Sequence, residues 1–247
     1  MKNLAVQLEN VSKLFPTFLE NGKRTFFPAL CDISLEIEEG SFCVGAGANG
    51  SGKSVLMSVI AGLTKPSDGN VWTKSKPGLI FQDASAQILG DTALEDVSVG
   101  LKNMRIKKEL IEKTAKDALE KVRLLEKAEN LAEFLSGGEK RRLAVASVLA
   151  MQREIVIFDE PYANLDYPGV LDVNRLLEEL KKAKKTVILL THELEKCLAL
   201  ADRFFVLSKG KIVYNGLPTD ALLLPLEKWS IRSPLVRYES VSDLIWK

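Results

Sequence analysis

Apolar and polar positions change their period several times along the 247-residue chain. Ala5-Val6-Gln7-Leu8-Glu9-Asn10-Val11 begins with alternation, and Asp32-Ile33-Ser34-Leu35-Glu36-Ile37-Glu38 alternates throughout, the period of a strand with one buried face. Between them, Leu19-Glu20-Asn21-Gly22-Lys23 carries the Asn-Gly pair that favours a hairpin, so the start of the chain predicts an antiparallel sheet. Gly45 to Gly52 then forms a glycine-rich turn, and Val55 to Ala61 follows at helical spacing with Gly62 as its stop. From Leu101 to Leu131, Leu110, Ile111, Thr114, Ala115, Ala118, Leu119, Val122 and Leu125 recur at helical spacing opposite a charged, solvated face. Ile155 to Phe158 and Thr186 to Leu190 are short continuous apolar runs separated by a helical stretch from Val170 to Lys182. Such strands, alternating with helices, predict a parallel sheet covered on both faces. Phe204 to Leu207 and Ile212 to Tyr214 flank Lys209-Gly210-Lys211 as a further hairpin, and the remainder gives no periodic signal.

Charge narrows the function classes. Lys and Arg number 34 against 33 Asp and Glu, a formal +1, which argues against a protein built to neutralise nucleic-acid phosphate or coat an anionic bilayer. No run approaches the roughly 18 apolar residues of a spanning helix, and the first residues are broken by polar ones too early for a secretory signal. Cys31, Cys43 and Cys197 make no CxxC and leave an odd thiol, so a reducing compartment is expected rather than a disulfide framework.

Gly47-Ala48-Asn49-Gly50-Ser51-Gly52-Lys53-Ser54 fits GxxxxGK[ST] between an apolar run and a helix, the context a phosphate-binding P-loop needs. Its glycines let backbone N–H groups and a helix N-terminus face an anion; Lys53 adds a point charge and Ser54 a hydroxyl for Mg²⁺. Ile155-Val156-Ile157-Phe158 ends in Asp159-Glu160. Asp159 suits a partner of the magnesium shell, and Glu160 a general base polarising water for in-line attack on the γ-phosphate. Ser136-Gly137-Gly138 precedes a second helical run and makes another anion-binding N-terminus.

Leu135-Ser136-Gly137-Gly138-Glu139 resembles the signature of the ATP-binding subunits of ABC transporters, and other elements of that family follow in order. Gln82 matches the Q-loop glutamine, Asp166 in Ala163-Asn164-Leu165-Asp166 the D-loop, and His192 the switch histidine. Phe15 matches the aromatic that stacks on adenine. The resemblance implies an α/β fold of the P-loop NTPase class: a RecA-like mixed-sheet core, an antiparallel β subdomain and a helical signature subdomain. It places the ATPase domain at residues 1–218, the helical part at about 84–149, and a short C-terminal extension at 219–247. It also implies ATP with Mg²⁺ on Ser54, Gln82 and Asp159. Catalysis falls to Glu160, His192 and Gln82, nucleotide contacts to Phe15 and 47–55, and contact with the partner's ATP to 135–139.

Within the family, Gln82 to Gly100, with Gln87, Thr92, Glu95, Asp96 and Gly100, resembles the energy-coupling factor (cobalt/vitamin-type) importer ATPases. This implies a Mg-dependent ATPase, peripheral at the cytoplasmic face of the membrane, that energises an importer of a vitamin or metal ion. Two ATPs are then sandwiched between two ABC ATPase subunits, the same or related chains. The pair docks on a transmembrane coupling protein that engages a substrate-binding membrane subunit, with the docking surface running from Gln82 into the helical part. There are two departures from the family pattern: Val55 replaces the usual Thr, and Gly45-Ala46 a bulkier pair. Glu139 stands for the commoner Gln. The alternative is a soluble ABC-type ATPase acting on nucleic acid or ribosomes. The interval from Gly47 to Leu135 lacks the long coiled coil of DNA-repair members, the length holds one domain, and the balanced charge fits no nucleic-acid partner.

Overall fold

The alternation at the start of the chain becomes two long strands. The computed structural model describes residues 3–235 and 238–241; residues 1–2 of the expected ATPase domain, and 236–237 and 242–247 of the expected extension, lie outside the described residues. β1 (Leu4–Phe18) and β2 (Arg24–Glu38) pair antiparallel from Leu4↔Glu38 to Phe18↔Arg24. Their turn is closed by the Leu19 N–H on Lys23 O at 2.9 Å, with Gly22 at φ 78°. Val6, Leu8, Ile33, Leu35 and Ile37 are buried, as the period of two requires, but the strands run well past the alternating segments. At the far end Phe15, Phe18, Phe26 and Phe27 remain exposed.

β3 (Phe42–Ala46) leaves for a second sheet, α1 (Lys53–Ile60) follows it, and β4 (Asp68–Thr73) returns to the free edge of β1, giving the order β2-β1-β4. Gly62 takes φ 72° just past the end of α1, the left-handed stop expected there. After β5 (Gly78–Ile80) come α2 (Ala93–Asn103), α3 (Lys108–Lys121) and α4 (Gly137–Ala150). The helical pattern from Leu101 to Leu131 is therefore not one helix. Arg105 at φ 58° ends α2, with the Ile106 N–H turned back on Leu101 O at 3.1 Å, and Arg123 at φ 57° does the same beyond α3. Ala115, Ala118, Leu119 and Val122 are buried, whereas Leu110 and Leu125 are exposed.

The residues of the importer-type pattern hold this segment together. Gln87 donates to Leu79 O at 3.0 Å and accepts from Phe81 N at 3.1 Å, pinning the loop that carries Gln82. Thr92 and Glu95 form the capping box of α2. Buried Asp96 accepts from the Leu89 and Gly90 N–H groups at 2.7 and 3.2 Å and from the Ser147 hydroxyl of α4 at 2.8 Å. At Gly90 a Cβ would lie 2.2 Å from Asp96 N, so only glycine fits.

β6 (Ile155–Asp159), α5 (Tyr167–Lys182), β7 (Thr186–Thr191), β8 (Arg203–Ser208) and β9 (Lys211–Gly216) complete the second sheet, in the order β5-β6-β7-β3-β8-β9. Its neighbours are parallel except for the antiparallel β8–β9 hairpin. A Cβ at Gly45 in central β3 would lie 2.3 Å from both the Leu190 side chain and the Phe205 ring. The bulk missing from β3 is thus supplied by its two neighbours, which explains Gly45. Beyond β9, the short α6 (Pro218–Ala221) and the following turns bury Ala221, Leu226 and Ile231 in the main core.

Candidate functional site

Three parallel strands deliver the site from their carboxyl ends, the edge at which open α/β sheets bind ligands. β3 runs into the P-loop, β6 into Asp159-Glu160 and β7 into His192, with Ala46↔Thr191 and Asp159↔Leu190 in register. Gly50 and Gly52 take φ 77° and 106°. A Cβ on Gly47 would sit 2.5 Å from Leu207 O, and one on Gly52 2.7 Å from Ala29 O, so this loop is glycine by steric necessity. Gly52 caps α1 without a side-chain hydrogen bond, which leaves the first amides of the helix to an external anion. Ala48, Asn49, Gly50, Gly52, Lys53, Ser54 and Val55 line a cleft of about 540 Å³ together with Gln82, Asp159 and Glu160. Gly47 lies behind it, and Ser51 is buried, its N–H on Ala48 O at 3.1 Å.

The charges of the cleft are buried and mutually held. The Lys53 ammonium donates to Gly47 O and, at 3.2 Å, to Ala48 O, and lies 3.4 Å from Glu160 Oε1. Glu160, at φ 46°, donates its N–H to Leu190 O at 2.8 Å. Its Oε2 accepts from the His192 N–H at 3.3 Å and faces His192 Nδ1 at 3.1 Å. Burial pushes the Asp159 carboxyl above its ordinary value; the Ser54 hydroxyl and Lys53 oppose this and Glu160 reinforces it. Asp159 Oδ1 is buried with no hydrogen-bond partner. An orphaned carboxylate oxygen beside a serine hydroxyl, with an amide side chain lining the same cleft, is a hard-oxygen donor set that fits Mg²⁺. Among the described residues no group of three or more His, Cys, Asp or Glu could cage a metal by itself, as expected for an ion that shares its shell with phosphates.

The signature segment is built differently. Leu135 is buried, but Ser136 and Gly137 are exposed. Ser136 caps α4 in a capping box: Glu139 N donates to Ser136 Oγ at 3.3 Å and Ser136 N to Glu139 Oε2 at 2.9 Å. Lys127 ion-pairs with Glu139 and, with the Ser136 N–H, lowers its pKa, so the carboxylate that replaces the commoner amide is neutralised within the chain. A Cβ on Gly137 or Gly138 would meet nothing within 4 Å. Gln82 and Asp159 also border a second crevice that reaches Gly137, Ala163 and Asn164. Asp166 lies outside both and caps α5, accepting from Gly169 N at 3.0 Å.

Phe15 does not line the P-loop cleft. Phe27, directly opposite it in the β1–β2 ladder, does, together with Pro28 and Ala29. On the other side stand Lys209 and Gly210 of the β8–β9 turn, held to the P-loop by the Gly210 N–H on Ser51 O at 2.9 Å and to the middle of β2 by the Cys31 N–H on Gly210 O at 2.8 Å. No motif marks Phe27 or Lys209, because the sheet register brings each to the cleft from far along the chain.

The ABC transporter family model matches residues 30–163, from the middle of β2 to the start of the D-loop. The energy-coupling factor transporter ATP-binding protein EcfA2 of Streptococcus sanguinis (strain SK36) is 36% identical over 233 residues, 87% of this chain and 82% of that protein. The chain belongs to the energy-coupling factor ATP-binding proteins of the ABC transporter family. EcfA1 of Mycoplasma mobile is likewise 36% identical, over 78% of this chain and 76% of its own. Among solved structures, cbiO1 of Clostridium perfringens, described as part of the ABC transporter complex cbiONQ, superposes with a TM-score of 0.76 at 28% identity. It covers 94% of this chain and 97% of that one. The ATP-binding cassette MJ0796, seen as a dimer bound to ADP and Pi, gives 0.77 at 28% identity over 86% and 98%. As an ABC ATPase of this group the chain binds and hydrolyses ATP, and its fold is that of the cassette. No helix among the described residues is long and apolar enough to cross a membrane.

Proposed function

We propose that this energy-coupling factor ATPase powers a vitamin or metal-ion importer from the cytoplasmic face of the membrane, through two ATP sites shared between paired subunits. The P-loop amides and Lys53 hold the triphosphate, and an aromatic of the β1–β2 ladder, Phe15 or Phe27, stacks on the base. Ser54, Gln82 and Asp159 hold Mg²⁺, which when bound supplies positive charge to the β- and γ-phosphates. Glu160 takes the proton of the attacking water. His192 holds the base carboxylate through its backbone N–H and ring, which aims Oε2 before the reaction.

The observation that carries the shared-site reading is the freedom of Gly137 and Gly138. The chain's own packing does not require glycine there, yet they stand at an exposed helix N-terminus where only a residue without Cβ lets phosphate approach the amides closely. The residues from Leu135 to Glu139 therefore serve the γ-phosphate held by the other subunit, and we assign Asp166 of the D-loop to the same junction. We assign 1–218 to the ATPase domain, about 84–149 to its helical part and 219–247 to an extension. Leu89 and Phe134 are exposed beside a crevice between Ser85 and Lys140, an apolar surface suited to the transmembrane coupling protein, which in turn engages the substrate-binding subunit.

The test is affinity purification of the tagged chain from detergent-solubilised membranes. Multispanning membrane proteins recovered with it in fixed stoichiometry, and released by Leu89→Asp, support the assignment. Recovery of the chain only from the soluble fraction, bound to nucleic acid, would instead establish the alternative.

A further inference from the structure

Arg141 lies one turn into α4, about 6 Å along the axis from the glycines at its N-terminus, and is only 7% exposed. Its guanidinium is spent on backbone carbonyls. Nη1 donates to Pro161 O and, at 3.0 Å, to Ala163 O; Nη2 donates to Gln82 O at 2.8 Å. Burial lowers its pKa and Asp83 opposes this, but an arginine stays charged under such conditions. These three acceptors belong to three separate segments that border the site. Gln82 lines the P-loop cleft, Pro161 follows Glu160, and Ala163 starts the D-loop. A planar fork with several donors can hold three carbonyls at fixed angles; a single ammonium cannot. Being charge-assisted, the bonds are strong, and the bond to Pro161 O is buried while those to Ala163 O and Gln82 O are partly so.

The helix carrying this guanidinium has its other business outside the chain, at Ser136 to Gly138. A rigid helix cannot shift its N-terminus without shifting Arg141, and Arg141 cannot shift without pulling on Gln82 and on the peptide after Glu160. We propose that Arg141 is a positioning residue that links the two ATP sites: engagement of the signature end by the neighbour's nucleotide sets the Q-loop and Glu160 of its own site. The inference rests on the shared-site reading above and adds to it the route of communication between sites. Cooperativity in ATP is its consequence.

The test compares the full chain with Arg141→Lys and Arg141→Gln. Steady-state hydrolysis is followed across ATP concentration, with nucleotide affinity and melting temperature measured alongside. The result expected for the wild type is a sigmoidal curve. Arg141→Lys keeps the charge without the fork; it binds nucleotide within about twofold of wild type, turns over at least about tenfold more slowly, and loses the sigmoid. Arg141→Gln is slower still. A variant that stays as sigmoidal as wild type, whether slowed or not, overturns the proposal, as does loss of binding in step with turnover, since either reduces Arg141 to packing. A hyperbolic wild-type curve also overturns the proposal, whereas the shared-site reading falls only if activity per chain is independent of chain concentration.

Discussion

Two helices of this ATPase begin in glycine-rich turns, and they are built in opposite ways. The turn before α1 is enclosed: Gly47 and Gly52 are forced by carbonyls within 2.7 Å, and the charges of Lys53, Asp159 and Glu160 are buried around it. The turn before α4 is open: its glycines touch nothing, and its N-terminus is closed only by the Ser136–Glu139 capping box. The first is a complete cradle within one chain. The second is a surface whose glycines are not required by the chain's own packing, and on the proposed reading two subunits each offering one of each kind would complete both sites.

The largest expected effect breaks the enclosed half. Glu160→Gln removes the proposed base but leaves the P-loop intact, so turnover should fall by about 10²–10⁴-fold while ATP binding survives; single-turnover kinetics beside equilibrium nucleotide binding separates the two. Next, one substitution read at both turns sharpens the contrast. Gly52→Ala, at φ 106° against Ala29 O, destabilises the chain by about 1–3 kcal/mol. Gly137→Ala leaves stability within about 0.5 kcal/mol yet slows turnover, because the added methyl obstructs the neighbour's phosphate. Denaturant melts paired with ATPase rates distinguish these; equal destabilisation by both changes would erase the distinction.

A smaller effect concerns Asp159, whose carboxyl burial holds above its ordinary value of 3.8. An acid that is harder to ionise when folded binds protons more tightly in the folded chain. Its contribution therefore favours folding at pH below 3.8 and is lost as pH rises through the folded value. In buffer without nucleotide and magnesium, Asp159→Asn should melt higher than wild type at neutral pH, with the gain shrinking in acid. A lower melting temperature at pH 7 contradicts this reading. The smallest effect is at Val55, which lines the cleft where the family has Thr. Val55→Thr adds one hydroxyl donor for the α-phosphate, worth about 0.5–1.5 kcal/mol, or up to about tenfold tighter ATP binding by calorimetry.

What could be read in the sequence was what is local. A P-loop, an apolar strand ending in two carboxylates and a capped helix N-terminus each form within a few consecutive residues, so their spacing carries their geometry. The parallel strands at 155–159 and 186–191 were legible for the same reason. The ends of α2 and α3 were not, because they rest on Arg105 and Arg123 in left-handed conformations that no glycine announces. Phe27, Lys209 and Arg141 escaped notice because their positions depend on partners far along the chain: the Phe15↔Phe27 register, the Gly210–Ser51 hydrogen bond, and the carbonyls of Gln82 and Pro161. Gly45 was visible as an oddity, but its reason lies in Leu190 and Phe205 on the adjoining strands.

The claim that an enclosed half-site in one subunit is finished by the open turn of another is tested most directly by the specific ATPase activity of the purified chain at saturating ATP, measured over a wide range of chain concentration. Activity per chain should climb with concentration as pairs form and then level off. A value that stays constant down to the lowest concentration, where the chain is monomeric, would contradict it.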